Sequence, residues 1–233
     1  MNDNGASPQA TAEIAREAQA TARAREFFRQ WWFSLLVMAL ISVTNLLPDS
    51  LIENLAFQAD KIGNGQWWRI LSCHFVHLGT NHYLLNIVGF LILSVAFRED
   101  ITPKEEIVSL LISCLGVSAG LYFFSPELGW YVGLSGALYG IMAHYLIVGW
   151  SRTPFLSAIF ILFLTSKLVY QQFFPDSAST TGQLTGTAAF IGGPVAEDSH
   201  VYGAISGFIT GLASLFLFHR RHAQTSSASD RAN

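Results

Sequence analysis

The sequence predicts an all-α polytopic membrane protein, a bundle of six transmembrane helices with both termini in the cytoplasm. Three observations carry that expectation. The 233-residue chain is 51% hydrophobic and only 12% charged, about half the charged share of a soluble domain. Charge gathers in residues 1–29, 98–106 and after 219, and the runs between are long and apolar. A helix needs about 20 such residues to cross a bilayer. None of the runs alternates with period two as a barrel strand would, so helices remain the way to satisfy the backbone in lipid.

The elements follow in order. The first 26 residues are Ala-rich and of mixed charge, with Glu13/Arg16 and Glu26/Arg29 spaced i,i+3 as on a solvated juxtamembrane helix. The first span is expected over 29–47. It is longer than a signal-peptide core, and no small-x-small cleavage site follows in "TNLLPDSL", so it is read as retained. Further spans are expected at 78–97, 107–124, 134–150, 154–174 and 201–218. The domain organisation is then a cytoplasmic segment 1–28, a six-helix domain 29–218 and a polar tail 219–233, disordered over 222–233. The loop 175–199, rich in Ser, Thr, Gly and Ala, reads equally as a flexible cap or as a solvated linker. No repeat appears, nor the half-to-half symmetry of many transporters.

Lysine and arginine set the orientation. Arg16, Arg23, Arg25, Arg29, Arg98, Lys104, Arg152, Arg220, Arg221 and Arg231 fall on one side, against Lys61 and Arg69 on the other. An even number of spans then leaves both termini inside. Trp31, Trp32 and Trp150 mark the inner interface and Trp130 the outer one. Cys73 and Cys114 suggest packed thiols rather than a disulfide. No Cys/His spacing suggests zinc, and no metal or other cofactor is expected. A net charge of −3 without a basic soluble face argues against nucleic acid as a partner.

This orientation brings the starts of spans two, four and six to the outer side, and each carries polar groups. Span two holds His74, His77, His82 and Asn86; span four begins at Ser135; span six begins beside His200. Taken alone, Ser135 reads as a helix cap or as a serine bonded to its own backbone. A single interfacial histidine reads as an amphipathic anchor. Sharing one depth inside the membrane, the group reads as a candidate site, since unpaired ionisable residues are costly there.

Glycines sharpen it. Gly136 and Gly140 lie four apart, and Gly203, Gly207 and Gly211 repeat at the same interval. Small-xxx-small stripes let membrane helices approach closely, and most often that is all they do. If these two stripes face each other, Ser135 and His200 meet at the outer end of the seam. A histidine is the natural base for a serine nucleophile. A helix start offers free N–H groups to a developing oxyanion. His82 and Asn86, at i,i+4, project from one helix face toward the same place. No carboxylate is evidently placed to orient the histidine; Asp198 is nearest in sequence and reads as a solvated loop residue. A dyad is therefore expected.

These residues resemble a known family, the rhomboid intramembrane serine proteases. "GLSGALYG" resembles its GxSG motif, which implies Ser135 as nucleophile between Gly133 and Gly136, with Tyr139 packing on the catalytic histidine. "HVYGAISG" resembles HxxGxxxG, which implies His200 as general base and Gly203 and Gly207 as packing glycines. "HLGTNHYLLN" resembles HxxxxHxxxN, which implies His82 and Asn86, with the Ser135 backbone N–H, as oxyanion donors and His77 as support. Trp68-Arg69 resembles the tryptophan-arginine motif of the first outer loop.

A narrower resemblance, to the rhombosortase subgroup, rests on "GQWWRILSCHFVHL", "GLSGALYG", "SKLVYQQ" and "GGPVAEDSHVYGAISG". It implies a bacterial inner-membrane enzyme, its site toward the periplasm, that removes C-terminal Gly-Gly-type anchors. The partners implied are membrane-anchored protein substrates and the bilayer; no oligomeric state follows. The rival classes are a general rhomboid protease of single-span proteins, a non-catalytic rhomboid relative that binds membrane clients, and a small-solute transporter. Lys167 alone favours the last, and its height on the fifth span lets it snorkel to the outer interface.

Overall fold

The computed structural model describes residues 8–174, 184 and 186–230, without the side chains of 8, 10, 11 and 218–230. The expectations for residues 1–7, 175–183, 185 and 231–233 lie outside the described residues. Among those described, the protein is helical, with one isolated antiparallel bridge between Phe57 and Tyr131.

Helix α1 spans Pro8–Thr44, so the juxtamembrane segment and the first span form one continuous helix. Its exposed part carries the expected Glu26–Arg29 pair, hydrogen-bonded at 2.8 and 2.7 Å. The helix ends before Pro48, which supplies the N-cap of α2, Asp49–Leu55. Two short helices follow, α3 (Ala59–Gly63) and α4 (Arg69–Ser72), and then a 3-10 turn over Cys73–Phe75. This ordered outer loop packs Phe57, Ile62 and Cys73 against Val117, Leu121 and Tyr131. Arg69 clamps it, donating to the carbonyls of Glu53 (2.7 Å) and Ala56 (2.6 Å) and to Gln66 (2.7 Å).

Helix α5, Thr80–Ala96, meets the preceding turn at a bend of 93°. Helix α6, Pro103–Phe124, starts with a capping box between Thr102 and Glu105 and a proline in the first turn. Helix α7, Ser135–Val148, is central and mostly buried, and leads through a 3-10 turn at Gly149–Ser151 to α8, Pro154–Phe173. A short α9, Gly186–Ile191, precedes α10, Glu197–Asp230.

The expected spans therefore each find a helix, but not six helices of spanning length. Among the described residues four helices, within α1, α6, α8 and α10, are long and apolar enough to cross; a fifth span appears if 69–75 and α5 are taken together. Helix α7 has 14 residues, about 21 Å at 1.5 Å per residue, against a hydrocarbon core of about 30 Å. The missing length is made by the non-helical stretch before Ser135, where Tyr131, Val132 and Leu134 are buried. Such backbone is tolerated at depth only when protein satisfies it. Tyr131 pairs with Phe57 through its N–H and carbonyl, and Gly133 donates its N–H to the Cys73 carbonyl at 2.9 Å.

A second correction concerns the tail. Residues 222–230, expected to be disordered, continue α10 as helix to Asp230. After Gly211 the sequence contains no Gly or Pro to stop it.

The core lies where α7 meets α6 and α10. Phe90, Leu110, Cys114, Leu134, Ile141 and Tyr145 form its centre, with Val37 reaching in from α1. The glycine stripes on α7 and α10 face each other as expected. A Cβ on Gly203 would collide with the Gly136 carbonyl, and one on Gly207 with the Gly140 carbonyl. A further stripe, absent from the sequence reading, lies on α6: a Cβ at Gly116 would strike Ser206, and one at Gly120 would strike Tyr202. Outward faces carry large exposed apolar side chains such as Phe123, Phe155 and Leu162, as an integral membrane protein requires.

Candidate active site

The seam delivers Ser135 and His200 to one point. Ser135 is the first residue of α7 and His200 lies in the first turn of α10. The Ser135 hydroxyl and His200 Nε2 are 3.1 Å apart, within hydrogen-bonding reach. The closeness depends on Gly136, where a Cβ would lie 2.9 Å from the Ser199 carbonyl. Tyr139, one turn along α7, stacks on the imidazole with ring centroids 4.2 Å apart and planes at 11°.

The other nitrogen of the imidazole meets a residue that the sequence reading does not place in the site. Gln171 of α8, 8% exposed, presents Oε1 to His200 Nδ1 at 3.3 Å. A signal was present in "SKLVYQQF": Lys167 and Gln171 stand i,i+4 in an otherwise apolar span, hence on one face. That face is the wall of the cavity in front of Ser135. Lys167, expected to snorkel to the outer interface, is thus a cavity-lining residue.

Asp198 is not a solvated loop carboxylate either. It lies in the first turn of α10, accepts from Ser125 at 2.8 Å and from Gln172 at 3.3 Å, and makes neither bond with His200.

His82 and Asn86 line the same cavity from α5. The Leu78 N–H donates to His82 Nδ1 at 3.4 Å. A neutral ring with Nδ1 accepting carries its proton on Nε2. Asn86 donates to the His82 carbonyl, 2.9 Å away and one turn back. Gly133 sits beside them at φ +117°, where a Cβ would fall 2.6 Å from His82 Nε2. Tyr131 holds that glycine by donating its phenol to the Gly133 carbonyl at 2.7 Å.

The remaining histidines separate. His77 packs edge-to-face on His82, ring centroids 5.1 Å apart, and supports it. His74 is fully buried behind the site, hydrogen-bonded to Ser118 at 3.0 Å. Trp68 and Arg69 serve the outer loop rather than the cavity; the Trp68 indole donates to the Asn54 carbonyl at 3.1 Å. Among the described residues, no cluster of His, Cys, Asp and Glu is placed to hold a metal ion.

The cavity measures about 590 Å³ and is mostly apolar. Its roof is the described part of the loop before α10: Thr187, Ile191 and Gly192 to Ala196. Asn81 of α5 ties this roof down by donating to the Phe190 carbonyl at 2.8 Å. Residues of this stretch, which the sequence reads equally as a cap or as a linker, line the cavity in front of Ser135. The arrangement supplies a hydroxyl with an imidazole nitrogen in reach, a ring N–H, the first N–H groups of a helix, and a roofed space in front.

The comparisons with known proteins agree with this geometry. The family model described as Rhomboid domain matches residues 64–221. Rhomboid protease GlpG of Klebsiella pneumoniae subsp. pneumoniae is 28% identical over 192 residues, covering 80% of this chain and 62% of its own length. The same protein from Klebsiella pneumoniae strain 342 gives the same figures. Putative rhomboid protease YdcA of Bacillus subtilis strain 168 is 22% identical over 161 residues, 69% of this chain and 74% of its own. The chain thus spans less than two thirds of the length of the Klebsiella relatives. The domain match takes in α4 to α10, the cavity and both members of the hydroxyl–imidazole pair, and the chain belongs to the rhomboid family.

Proposed function

We propose that this protein is an intramembrane serine endopeptidase in which Ser135 attacks a peptide carbonyl and His200 takes its proton. The observation that carries the proposal is the 3.1 Å approach of the Ser135 hydroxyl to His200 Nε2, a nucleophile and base in contact at the wall of a roofed cavity. Attack forms the Ser135 Oγ–carbon bond and places negative charge on the carbonyl oxygen. His82 Nε2–H, Asn86 and the Ser135 backbone N–H are assigned to that oxygen. The proton held by His200 passes to the leaving amine as the peptide bond breaks. Water then resolves the acyl-enzyme by the same steps in reverse order.

The substrates are proteins anchored in the membrane, cut near the periplasmic face of a bacterial inner membrane. Lysine and arginine distribution supports that orientation. A substrate helix hides its carbonyls in i→i−4 bonds and must unwind before attack, which glycines near the outer end of its span make easier. The rhombosortase-like stretches favour one such class, proteins with a C-terminal Gly-Gly-type anchor.

The test is a membrane protein ending in such an anchor, expressed with and without this enzyme, its C-terminus read by mass spectrometry. A new terminus at the Gly-Gly segment that depends on Ser135 supports the assignment. An unchanged terminus on that protein, with Ser135-dependent cutting of other single-span substrates, would replace the anchor class by a general one.

A further inference from the structure

We propose that Gln171 is the positioning residue of His200, so that the site works as a serine–histidine–glutamine relay; this rests on the dyad proposed above. Three restraints meet on one imidazole. Nε2 faces the Ser135 hydroxyl at 3.1 Å and Nδ1 faces Gln171 Oε1 at 3.3 Å. The Tyr139 ring lies parallel to it at 4.2 Å. Stacking fixes the plane of the ring and leaves rotation within that plane free. A hydrogen bond at the far nitrogen removes this freedom.

The same bond selects the tautomer. An amide oxygen only accepts, so Nδ1 must carry the proton, and Nε2 is left bare toward Ser135. The opposite tautomer would present an N–H to the hydroxyl and be useless as a base. As His200 gains the second proton, Nδ1–H becomes a stronger donor, and the Gln171 oxygen stabilises the imidazolium through it.

The nearby carboxylate does not compete. Asp198 is engaged by Ser125 and by Gln172, so adjacent glutamines on α8 divide the two tasks. The choice of an amide has a physical reason. Gln171 is buried, and a carboxylate there would have to be stripped of water while His200 is neutral. An amide supplies the acceptor without that burden. Gln171 touches His200 and not the reacting atoms, which makes it a positioning residue.

The experiment measures the rate at which a fluorophosphonate probe labels Ser135 in detergent-solubilised full-length protein. Turnover of a single-span substrate bearing Gly-Gly at its outer end is followed in parallel. Gln171→Met keeps the shape and removes the acceptor; Gln171→Leu is a second such variant; Gln171→Glu keeps the acceptor. The expected result is a fall in labelling rate and kcat of roughly 10- to 100-fold for the Met and Leu variants, with KM and thermal midpoint unchanged. The Glu variant keeps an acceptor and should recover most of the rate lost in the Met variant, the cost of its desolvated carboxylate showing as a lowered thermal midpoint, which a purely space-filling role does not predict. Wild-type rates in the Met variant, or a Glu variant as slow as the Met variant, would overturn the assignment of Gln171 and leave the dyad standing. Wild-type protein that takes no label on Ser135 would instead remove the dyad on which it rests.

Discussion

Gly133 shows how much one residue settles here. Its φ of +117° belongs to a region that side chains avoid, and its missing Cβ is where the His82 ring lies. The carbonyl is fixed by Tyr131 and the N–H by Cys73, so the segment cannot step aside. Gly133→Ala is therefore expected to displace His82 and to cost about 1–3 kcal/mol in backbone strain. It should lower the thermal midpoint and abolish peptide cleavage together. His82→Ala separates those effects. It removes the donor and the ring's contacts with His77 and the Leu78 N–H without straining the Gly133 backbone, and it should reduce kcat by about 100- to 1,000-fold while changing KM little. A steady-state comparison of the two variants on one single-span substrate checks both expectations. Much of this was visible in the sequence, because spacing alone puts His82 and Asn86 on one helix face. Gln171 was not. Its partner is 29 positions away on another helix, and the polar pair Lys167/Gln171 does not by itself say which helix it meets.

At the scale of elements, the seam between α7 and α10 sets the distance between Ser135 and His200, the proposed nucleophile and base. Backbone oxygen occupies the place of a Cβ at Gly203 and again at Gly207, and backbone has nowhere to retreat. Gly207→Val should push the helices apart, with destabilisation of about 1–3 kcal/mol or more. Activity should fall with it, since Ser135 and His200 ride on the same two helices. Gly129→Ala, where nothing lies within 4 Å of the new carbon, should match wild type in both melting and turnover. The i,i+4 glycines made this seam readable in advance. The stripe of Gly116 and Gly120 on α6 has the same period and was passed over, because no polar group at its end drew attention to it. The bounds of α7 were legible too, expected over 134–150 and found as Ser135–Val148 with a 3-10 turn to Ser151. What hydropathy did not tell is how the buried non-helical stretch before it is satisfied, through the pairing of Tyr131 with Phe57 and of Gly133 with Cys73.

For the molecule as a whole, a charge pair away from the cavity closes the other end of the bundle. Arg98, after α5, meets Glu106 of α6 at 3.2 Å, with side chains 9% and 0% exposed. Ser34 of α1 and Ser94 of α5 both donate to Glu106, and Arg98 also lies 4.4 Å above the Trp31 ring. Three helices are joined there. Glu106→Gln leaves the arginine buried without its counter-ion and should cost about 3–5 kcal/mol. Glu26→Gln, which touches only the exposed pair with Arg29 and the exposed bond from Gln30, should leave the melting curve where it is. A thermal scan of the two variants in the same detergent tests the contrast. In the sequence Arg98 and Glu106 stand only as the two ends of one charged stretch, 98–106. That they would be desolvated together followed only once α1 was seen to pack across them.

The most direct measurement is the site of covalent labelling by a fluorophosphonate in native membranes, mapped by mass spectrometry in wild type, Ser135→Ala and His200→Ala. The account predicts an adduct on Ser135 alone, absent from the first variant and sharply reduced in the second. An adduct on any other residue, or labelling that survives Ser135→Ala, would contradict it.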